Sequence, residues 1–480
     1  MIQNTLSFTK GLLTGDREIC KRADQFMHTP RFFLPVMALS ALANLFSLEL
    51  PVYALFTALV VWVCLRGSDL LALIPLAVAC YLIPSRANNP GKEGSRLFSM
   101  AGGGVVLILL ALIMAVALGL RIWREKDRIR KLEFALLPGM AILSASYFLG
   151  GLFSPAWPQN LLPHWFFCLI QAACLILPYL LFSVAVDWRK VRRDWFGWLG
   201  FSLGCLLLVE ILWIYLTQNV IVDGMIVRSK IYTGWGMYNN IGGFILVMLP
   251  FPFYLGHRYE KDILGLVGGT AFWLGVLLSS SRNAILLGTA LYGFCLFRAL
   301  YLRTDKKKFA KIILCLVAGL IVAAVALHKP IAQLFRGILD QGLNMTSREN
   351  IYSRGLAFFQ KYPIFGVSFF SPGYQPWSWS TNDAFTSFFP GRWHNTYVQL
   401  LATGGLVSLL AYCYHRCQTA RLFLKSRRQE VFFIGVSLTV FLASSFFDCH
   451  FYNVGPTIFY ALALAFAERI EKSQIPLRKR

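Results

Sequence analysis

A series of long apolar segments constrains the fold of this chain more than any other feature. We identify about fourteen of them, comparable in length with the ~20 residues that cross the hydrocarbon core of a bilayer as a helix. Loops and open sheets leave backbone groups unsatisfied in lipid, so the pattern predicts an all-α polytopic integral membrane protein. The second and third segments are short, which gives a range of about 12–14 transmembrane helices. The segments are 32–48, 51–65, 69–84, 101–120, 132–153, 161–186, 195–217, 237–256, 262–280, 283–301, 310–328, 396–414, 431–447 and 453–467.

The composition supports this class. Hydrophobic residues make up 57% of the chain and charged residues 14%, against roughly 25% charged residues in a soluble domain. The first segment begins near Arg31, after a mixed polar stretch, and no small-residue cleavage site follows it. We therefore expect it to be a membrane helix rather than a removed signal peptide. The 11 cysteines are dispersed, mostly within apolar segments, and predict neither disulfides nor a zinc site.

The charges between the segments predict the orientation. If the N terminus is cytoplasmic, the basic loops and the C-terminal RKR all fall on the inner side, as the positive-inside rule requires. The outer loops 153–160 and 446–453 are uncharged or weakly acidic. We therefore expect a multi-pass protein of the cytoplasmic (inner) membrane with both termini in the cytoplasm. The basic loops are 121–131, 187–194, 257–262, 302–311 and 415–430.

The net charge of +23 arises largely from these loops, so the expected partner is the lipid bilayer and no nucleic acid.

The chain divides into transmembrane helices with short loops over 1–328, a large extracytoplasmic loop over 329–395, and C-terminal helices with a basic tail over 396–480. The long loop contains IAQLFRGILDQ and SRENIYSRGLAFFQ, whose amphipathic periodicity predicts short helices. Its aromatic stretch FFSPGYQPWSWS is expected at the lipid interface.

Positive charge on the predicted outer side is the strongest functional signal. Arg282 stands in SSSRNAILLG between two apolar segments, where a charge is costly and functional by default. Arginine binds phosphate through paired planar hydrogen bonds, so the cluster fits a lipid-linked phosphate or diphosphate. For Arg336, Arg354 and Lys361 the alternative is that they solvate the loop. The other cations on this side are Arg228, Lys230, Arg348 and Arg392.

His394 is the best candidate for acid–base chemistry. It precedes Asn395 at the junction of the outer loop and the next helix. A histidine exchanges protons near neutral pH and can accept one from a sugar hydroxyl. The alternative is a residue at a helix start that only hydrogen-bonds locally.

Glu210 lies inside the seventh apolar segment, in LLLVEILW. A buried carboxylate needs a cation or its own proton, so it supports an arginine of the site, stays protonated, or couples protons in a transporter. The acidic residues form no metal motif, and there is no P-loop. We therefore expect no metal and no cofactor, and any group transfer must use an already activated donor.

Four stretches of the chain are VRSKIYTGWGMYNNIGGFILVMLP, SSSRNAILLG, SRENIYSRGLAFFQKYPIFGVSFF and WHNTYVQLLATGGLVSLL. Together they resemble the O-antigen ligase and O-antigen polymerase superfamily of bacterial membrane glycosyltransferases. They lie in order across about residues 225–415 at family-like spacing. Asn283 follows Arg282 where the family usually has a small residue, and Asn239-Asn240 replaces the common Asn-Pro-Asn.

The resemblance implies a metal-independent glycosyltransferase that acts at the outer face of the cytoplasmic membrane. The donor it implies is a glycan on undecaprenyl diphosphate, and the acceptor is a glycan, a lipid or a cell-wall anchor. Carried over by position, Arg228 and Arg282 hold the diphosphate, Arg348 is a further contact, and His394 activates the acceptor hydroxyl. Ligase and polymerase activity stay open, because the motifs are shared.

Two other classes compete with this interpretation. A multi-pass transporter or flippase for lipid-linked glycans would use Glu210 and is expected to show two repeated halves, which the sequence lacks. A non-catalytic membrane scaffold would leave the outer arginines unexplained.

Overall fold

The structure is a computed structural model, and it confirms the all-α class. It describes residues 17–46, 48–82, 103–129, 133–153, 161–222, 225–233, 236–302, 306–326, 332, 346–369, 393–452 and 454–472. The helices are α1 (Arg17–Met27), α2 (Phe33–Phe46), α3 (Glu49–Arg66), α4 (Leu73–Leu82), α5 (Gly103–Arg124), α6 (Lys126–Ile129), α7 (Leu137–Leu149), α8 (Leu161–Ala185), α9 (Trp195–Thr217), α10 (Tyr238–Met248), α11 (Pro250–Arg258), α12 (Asp262–Leu278), α13 (Arg282–Leu302), α14 (Lys306–Ala326), α15 (Thr346–Lys361), α16 (Thr396–Lys425), α17 (Gln429–Ser444) and α18 (Val454–Lys472).

The described strands form two small antiparallel hairpins between α9 and α10. Strands β1 (Ile221–Val222) and β2 (Met225–Ile226) form the first hairpin, and β3 (Tyr232–Thr233) and β4 (Gly236–Met237) form the second. A single 3-10 turn, Arg228–Lys230, joins them. The hairpins therefore form a short non-helical segment between two apolar helices.

Six helical stretches within the described residues are long and apolar enough to cross a membrane, which agrees with a multi-pass membrane protein. Helices such as α7, α12 and α17 are apolar but shorter. The predicted third segment contains α4, whose 10 described residues extend about 15 Å at 1.5 Å per residue. The crossing stretches are Glu49–Arg66, His164–Ala185, Trp195–Thr217, Tyr238–Arg258, Arg282–Leu302 and Thr396–Lys425.

Several predicted boundaries differ from the structure, and those of 237–256 and 415–430 are examples. The segment 237–256 divides at Pro250, which starts α11 because proline cannot donate the backbone hydrogen bond that would continue α10. The predicted basic loop 415–430 is helical as far as Lys425. His415 is fully buried there, so packing against the bundle carries α16 beyond its apolar part.

Helix α16 is interrupted at Gly405, whose φ of 61° belongs to the left-handed region. A side chain at this position would overlap the carbonyl oxygen of Ile364. The segment after α15 docks into the break: Leu406 N–H donates to Pro363 O at 2.8 Å, and Val367 N–H donates to Ala402 O at 2.9 Å. The long loop thereby satisfies backbone groups that the interrupted helix leaves open.

Glycine lets helices of the bundle approach closely. Any side chain on Gly200 would overlap the ring of Phe251, and one on Gly204 would overlap Phe272. Small residues at such contacts favour close helix packing where lipid supplies no hydrophobic drive between helices. The contact holds α9 against α11 and α12, which lead to the segment that carries Arg282.

The two ends of the bundle collect the loops that the charge pattern assigns to opposite sides. At one end, Tyr254 Oη donates to Arg193 O at 3.0 Å, and Asp187 N–H donates to Asp69 Oδ2 at 2.9 Å, so the predicted inner loop 187–194 contacts the ends of two neighbouring segments. At the other end, Thr396 N–H donates to Ser445 O at 2.9 Å. We call these the inner end and the outer end, after the predicted orientation.

Candidate functional site

Arg282 is the first residue of α13 at the outer end, and its side chain is half-buried. Three buried serines, Ser279, Ser280 and Ser281, lead into it, and Ser281 Oγ donates to Asn239 Oδ1 at 3.0 Å. A cation at a helix N-terminus opposes the helix dipole, whereas an anion there is favoured by both the dipole and the guanidinium. This position therefore suits an anionic ligand.

Arg228 lies close to Arg282. It occupies the 3-10 turn between the two hairpins and is about half-buried. Burial lowers the pKa of Arg228, the neighbouring Arg282 charge lowers it further, and Tyr238 acts in the opposite sense. Two guanidinium groups that repel each other gain stability when an anion lies between them. We call Arg228 and Arg282 the arginine pair.

His394 contacts an aspartate that comes from a distant part of the chain. Its Nδ1 lies 3.4 Å from Asp448 Oδ1, and the side chains are 31% and 10% exposed respectively. Asp448 Oδ1 also accepts the backbone N–H of Cys449 at 2.7 Å, which fixes the carboxylate. A carboxylate at Nδ1 favours a proton on that nitrogen, so Nε2 becomes the acceptor that a general base needs.

The backbone around His394 is held on both sides. His394 itself has a φ of 50°, a conformation that is uncommon for a residue other than glycine. Asn395 is the N-cap of α16: its Oδ1 accepts the N–H groups of Tyr397 at 2.8 Å and Val398 at 3.1 Å, and its Nδ2 donates to Phe446 O at 2.9 Å. Asn395 therefore joins the start of α16 to the segment that carries Asp448.

Tyr352 links Arg348 to His394 by contacting both residues. Tyr352 Oη donates to His394 O at 3.1 Å, and Arg348 interacts with the same tyrosine one turn earlier on α15. Burial raises the pKa of Tyr352, and the Arg348 charge opposes that rise. The predicted helix in SRENIYSRGLAFFQ is confirmed as α15, and it presents Arg348 at the outer end.

The arginine pair and the His394–Asp448 pair lie at the same end of adjacent helices. Ser437 Oγ on α17 donates to Val247 O on α10 at 2.7 Å, which aligns the two helices. From this contact, the start of α10 and the end of α17 lie about 10–14 Å toward the outer end, at 1.5 Å per residue. The first turn of α10 contacts Ser281, and the end of α17 contacts Thr396.

Glu210 lies deeper in the bundle. It is 3% exposed on the buried face of α9, about 10 Å from the outer end of that helix at 1.5 Å per residue. The other predicted outer cations are peripheral: Arg354 and Lys361 are exposed on α15, which agrees with a solvating role, and Lys230 Nζ donates to Asn219 O at 2.9 Å. Arg336, Arg392, and the stretches IAQLFRGILDQ and FFSPGYQPWSWS lie largely outside the described residues.

Three residues near His394 were missed in the sequence. The sequence does contain a feature that could have identified Asp448: it is the one acidic residue of the predicted outer loop FFDCHFYN. Gln399 had no such signal; its Oε1 accepts Trp393 N–H at 3.0 Å and contacts Cys449 Sγ at 3.6 Å. Tyr352 lies in the predicted amphipathic helix SRENIYSRGLAFFQ, but its hydrogen bond to His394 depends on how α15 packs.

The fold and these side chains define a multi-pass membrane protein with paired arginines and a histidine–aspartate pair at one end of its helices. A family model described as O-antigen ligase matches residues 267–413. Over these residues the match confirms the resemblance to the O-antigen ligase superfamily. Arg282, Arg348, His394 and Asn395 lie within the matched part.

A comparison with curated proteins found no match. The O-antigen ligase family that this model describes implies a glycosyltransferase of the ligase or polymerase type in a membrane, with a lipid-linked glycan donor and a glycan acceptor.

Proposed function

We propose that this chain transfers a glycan from undecaprenyl diphosphate to an acceptor hydroxyl at the outer face of the cytoplasmic membrane. The observation that carries the proposal is the proximity of Arg228 and Arg282 at the start of α13, at the same end of the bundle as His394 and Asp448. One pair suits the diphosphate of the donor and the other suits the hydroxyl of the acceptor. Both termini are cytoplasmic in this proposal.

The reaction breaks the bond between the anomeric carbon and the diphosphate oxygen and forms one between that carbon and the acceptor oxygen. The acceptor proton passes to His394 Nε2, and the bonding electrons remain on the departing diphosphate. Arg228 and Arg282 stabilise that charge more strongly as it develops. Because the donor is already activated, the step requires no nucleotide, and we propose that it requires no metal.

The remaining residues position these groups. Asp448 orients the His394 ring and stabilises the imidazolium that forms, as a buried carboxylate does for a catalytic histidine. Asn395 holds the His394 segment against the end of α17. We assign Arg348 to a further contact with the donor diphosphate, beside Tyr352. Glu210 has a supporting role, as a buried carboxylate below the site.

Purified protein tests the proposal directly. Detergent-solubilised protein would be mixed with undecaprenyl diphosphate-linked oligosaccharide and a chelator, without nucleotide, and product size would be followed. A ladder of longer lipid-linked chains indicates a polymerase, and transfer to an added lipid or cell-wall anchor indicates a ligase. Either result supports the proposal, and loss of transfer in chelator would refute metal independence.

The transporter alternative gives a different result. If donor stays intact with every acceptor but crosses the bilayer of proteoliposomes, the proposed transfer is wrong. Glu210→Gln separates the two classes further, because neutralising a buried carboxylate should stop proton-coupled transport while reducing glycosyl transfer much less.

A further inference from the structure

A second polar site lies at the inner end, far from the arginine pair. It is a cleft of about 490 Å³ between the N-terminal segment, the first turn of α9 and the turn that joins α11 to α12. Its volume falls within the range of small-molecule sites. Its lining includes Phe26, Thr29, Arg31, Arg192, Trp198 and Tyr259.

The polar side of the cleft is positively charged, and hydrogen bonds fix its side chains in place. Arg192 is fixed by Asp194, with Nε to Oδ1 at 3.0 Å and Nη2 to Oδ2 at 2.8 Å. Arg192 Nη2 and Trp198 Nε1 each donate to Tyr259 Oη at 3.1 Å. These bonds hold the guanidinium at the cleft wall and leave its second terminal nitrogen, Nη1, outside the pair with Asp194.

Arg31 supplies the second charge. It lies in the 3-10 turn before α2, and its side chain is exposed. Within the part of the chain that the structure describes, no carboxylate lies within ion-pair distance of Arg31, so Asp194 neutralises one of the two cleft arginines and the other keeps its charge. An anion in the cleft would therefore meet net positive charge.

The other side of the cleft is lined by aromatic side chains. Trp198 and Tyr259 have ring centroids 5.9 Å apart, and such residues concentrate at the level of lipid head groups. Phe26, which lines the cleft, is 45% exposed, and Leu34 in the first turn of α2 is 76% exposed, so exposed apolar side chains lie near the charges. The site thus combines a place for a phosphate with a surface for acyl chains.

We propose that this cleft binds the head group of an anionic phospholipid in the inner leaflet. The phosphate lies between Arg31 and Arg192, and the acyl chains follow the surface of Leu34 and Trp198. Basic pockets between helices at the cytoplasmic side bind anionic head groups in this way. The lipid joins the N-terminal segment to α9, and the proposal does not depend on glycosyl transfer.

Native mass spectrometry and thermal stability of the full chain test this site. Detergent-solubilised protein would be titrated with phosphatidylglycerol, with phosphatidylcholine as the zwitterionic control. We expect phosphatidylglycerol to bind in preference and to raise the melting temperature. Arg31→Ala should weaken that binding about fivefold, the effect of one basic residue near a membrane surface.

Two matched variants control for general charge attraction. Arg22→Ala removes an exposed cation from α1, and Arg189→Ala removes one from the loop before α9. Both should retain the binding of the unmodified chain. Equal losses in Arg22→Ala, Arg189→Ala and Arg31→Ala would overturn the site, as would equal binding of phosphatidylcholine. Full reproduction of the stabilisation by millimolar inorganic phosphate would instead assign the cleft to free phosphate.

Discussion

Each end of the bundle contains a histidine beside an aspartate, and the two pairs differ in a useful way. At the inner end, His28 Nε2 lies 2.7 Å from Asp69 Oδ1, and that carboxylate is 1% exposed. At the outer end, His394 Nδ1 lies 3.4 Å from Asp448 Oδ1, and the histidine is 31% exposed. The first pair is closed and joins two segments, whereas the second leaves a histidine that a ligand can reach.

The cations at the two ends also differ in the charges that lie next to them. At the inner end, cations contact carboxylates, as in Arg192 with Asp194 at 2.8 Å and Lys472 with Glu468 at 2.9 Å. At the outer end, Arg228 is affected by the like charge of Arg282. The lesson is that these two inner cations lie against carboxylates, whereas the outer pair brings two like charges together.

The largest expected effect is on His394. We expect His394→Ala to lower glycan transfer about 10²–10⁴-fold, the usual contribution of a general base, while the protein stays in the membrane. Initial rates with purified protein and lipid-linked donor measure the loss. His28→Ala is the matched control, and it should reduce stability while keeping the rate per folded molecule. Full activity of His394→Ala would make the two histidines equivalent and refute the comparison.

Removal of one member of the arginine pair should have the next largest effect. Arg282→Ala is expected to reduce transfer about 10²–10³-fold, as for the loss of one group that stabilises developing charge. The same rate assay, together with donor binding, measures it. Arg354→Ala removes an exposed cation at the same end and should change the rate little. Equal losses in the two variants would indicate a diffuse field rather than a site.

A variant of Asp448 tests whether this outer aspartate acts on its histidine during transfer, unlike Asp69 at the inner end. Asp448→Asn keeps the shape of the side chain but removes its charge, so we expect about a 10–100-fold lower kcat from loss of a charge-assisted contact. KM for the donor should stay constant, because Asp448 acts through His394. A raised KM with unchanged kcat would instead place Asp448 in donor binding.

The inner pair predicts the smallest effect, a pH dependence of stability. Burial lowers the pKa of His28, but Asp69 and Asp24 outweigh it and raise the pKa from the usual 6.5 to about 9. The resulting stability is complete below pH 6.5 and is lost as the pH rises to about 9. We expect the free energy of unfolding to fall by up to about 1.4 kcal/mol per pH unit across this window.

Thermal unfolding at several pH values measures this change, and His28→Ala should flatten the dependence. Transfer activity per folded molecule should follow a different pH profile. If His28→Ala leaves the pH dependence of unfolding intact, the inner pair does not stabilise the N-terminal segment as we describe.

Much of the fold followed from local patterns. The lengths of apolar segments predicted the helical class, and the periodicity around Arg348 predicted α15, because burial and helix repeat are local properties. The break at Gly405 was not predicted, since it depends on the segment around Ile364 docking against it. The continuation of α16 past His415 likewise depends on neighbours that bury that residue.

The sequence by itself determined the membrane class. It identified Arg282 as a candidate because a charge at the edge of an apolar segment is costly wherever the helix packs, and His394 because a histidine exchanges protons near neutral pH. Tertiary structure decided which residues meet: Arg228 with Arg282, His394 with Asp448, and Arg348 with Tyr352. The local periodicity of apolar residues predicts which face of a helix is buried. The pairing of helix ends from distant parts of the chain depends on how the whole bundle packs.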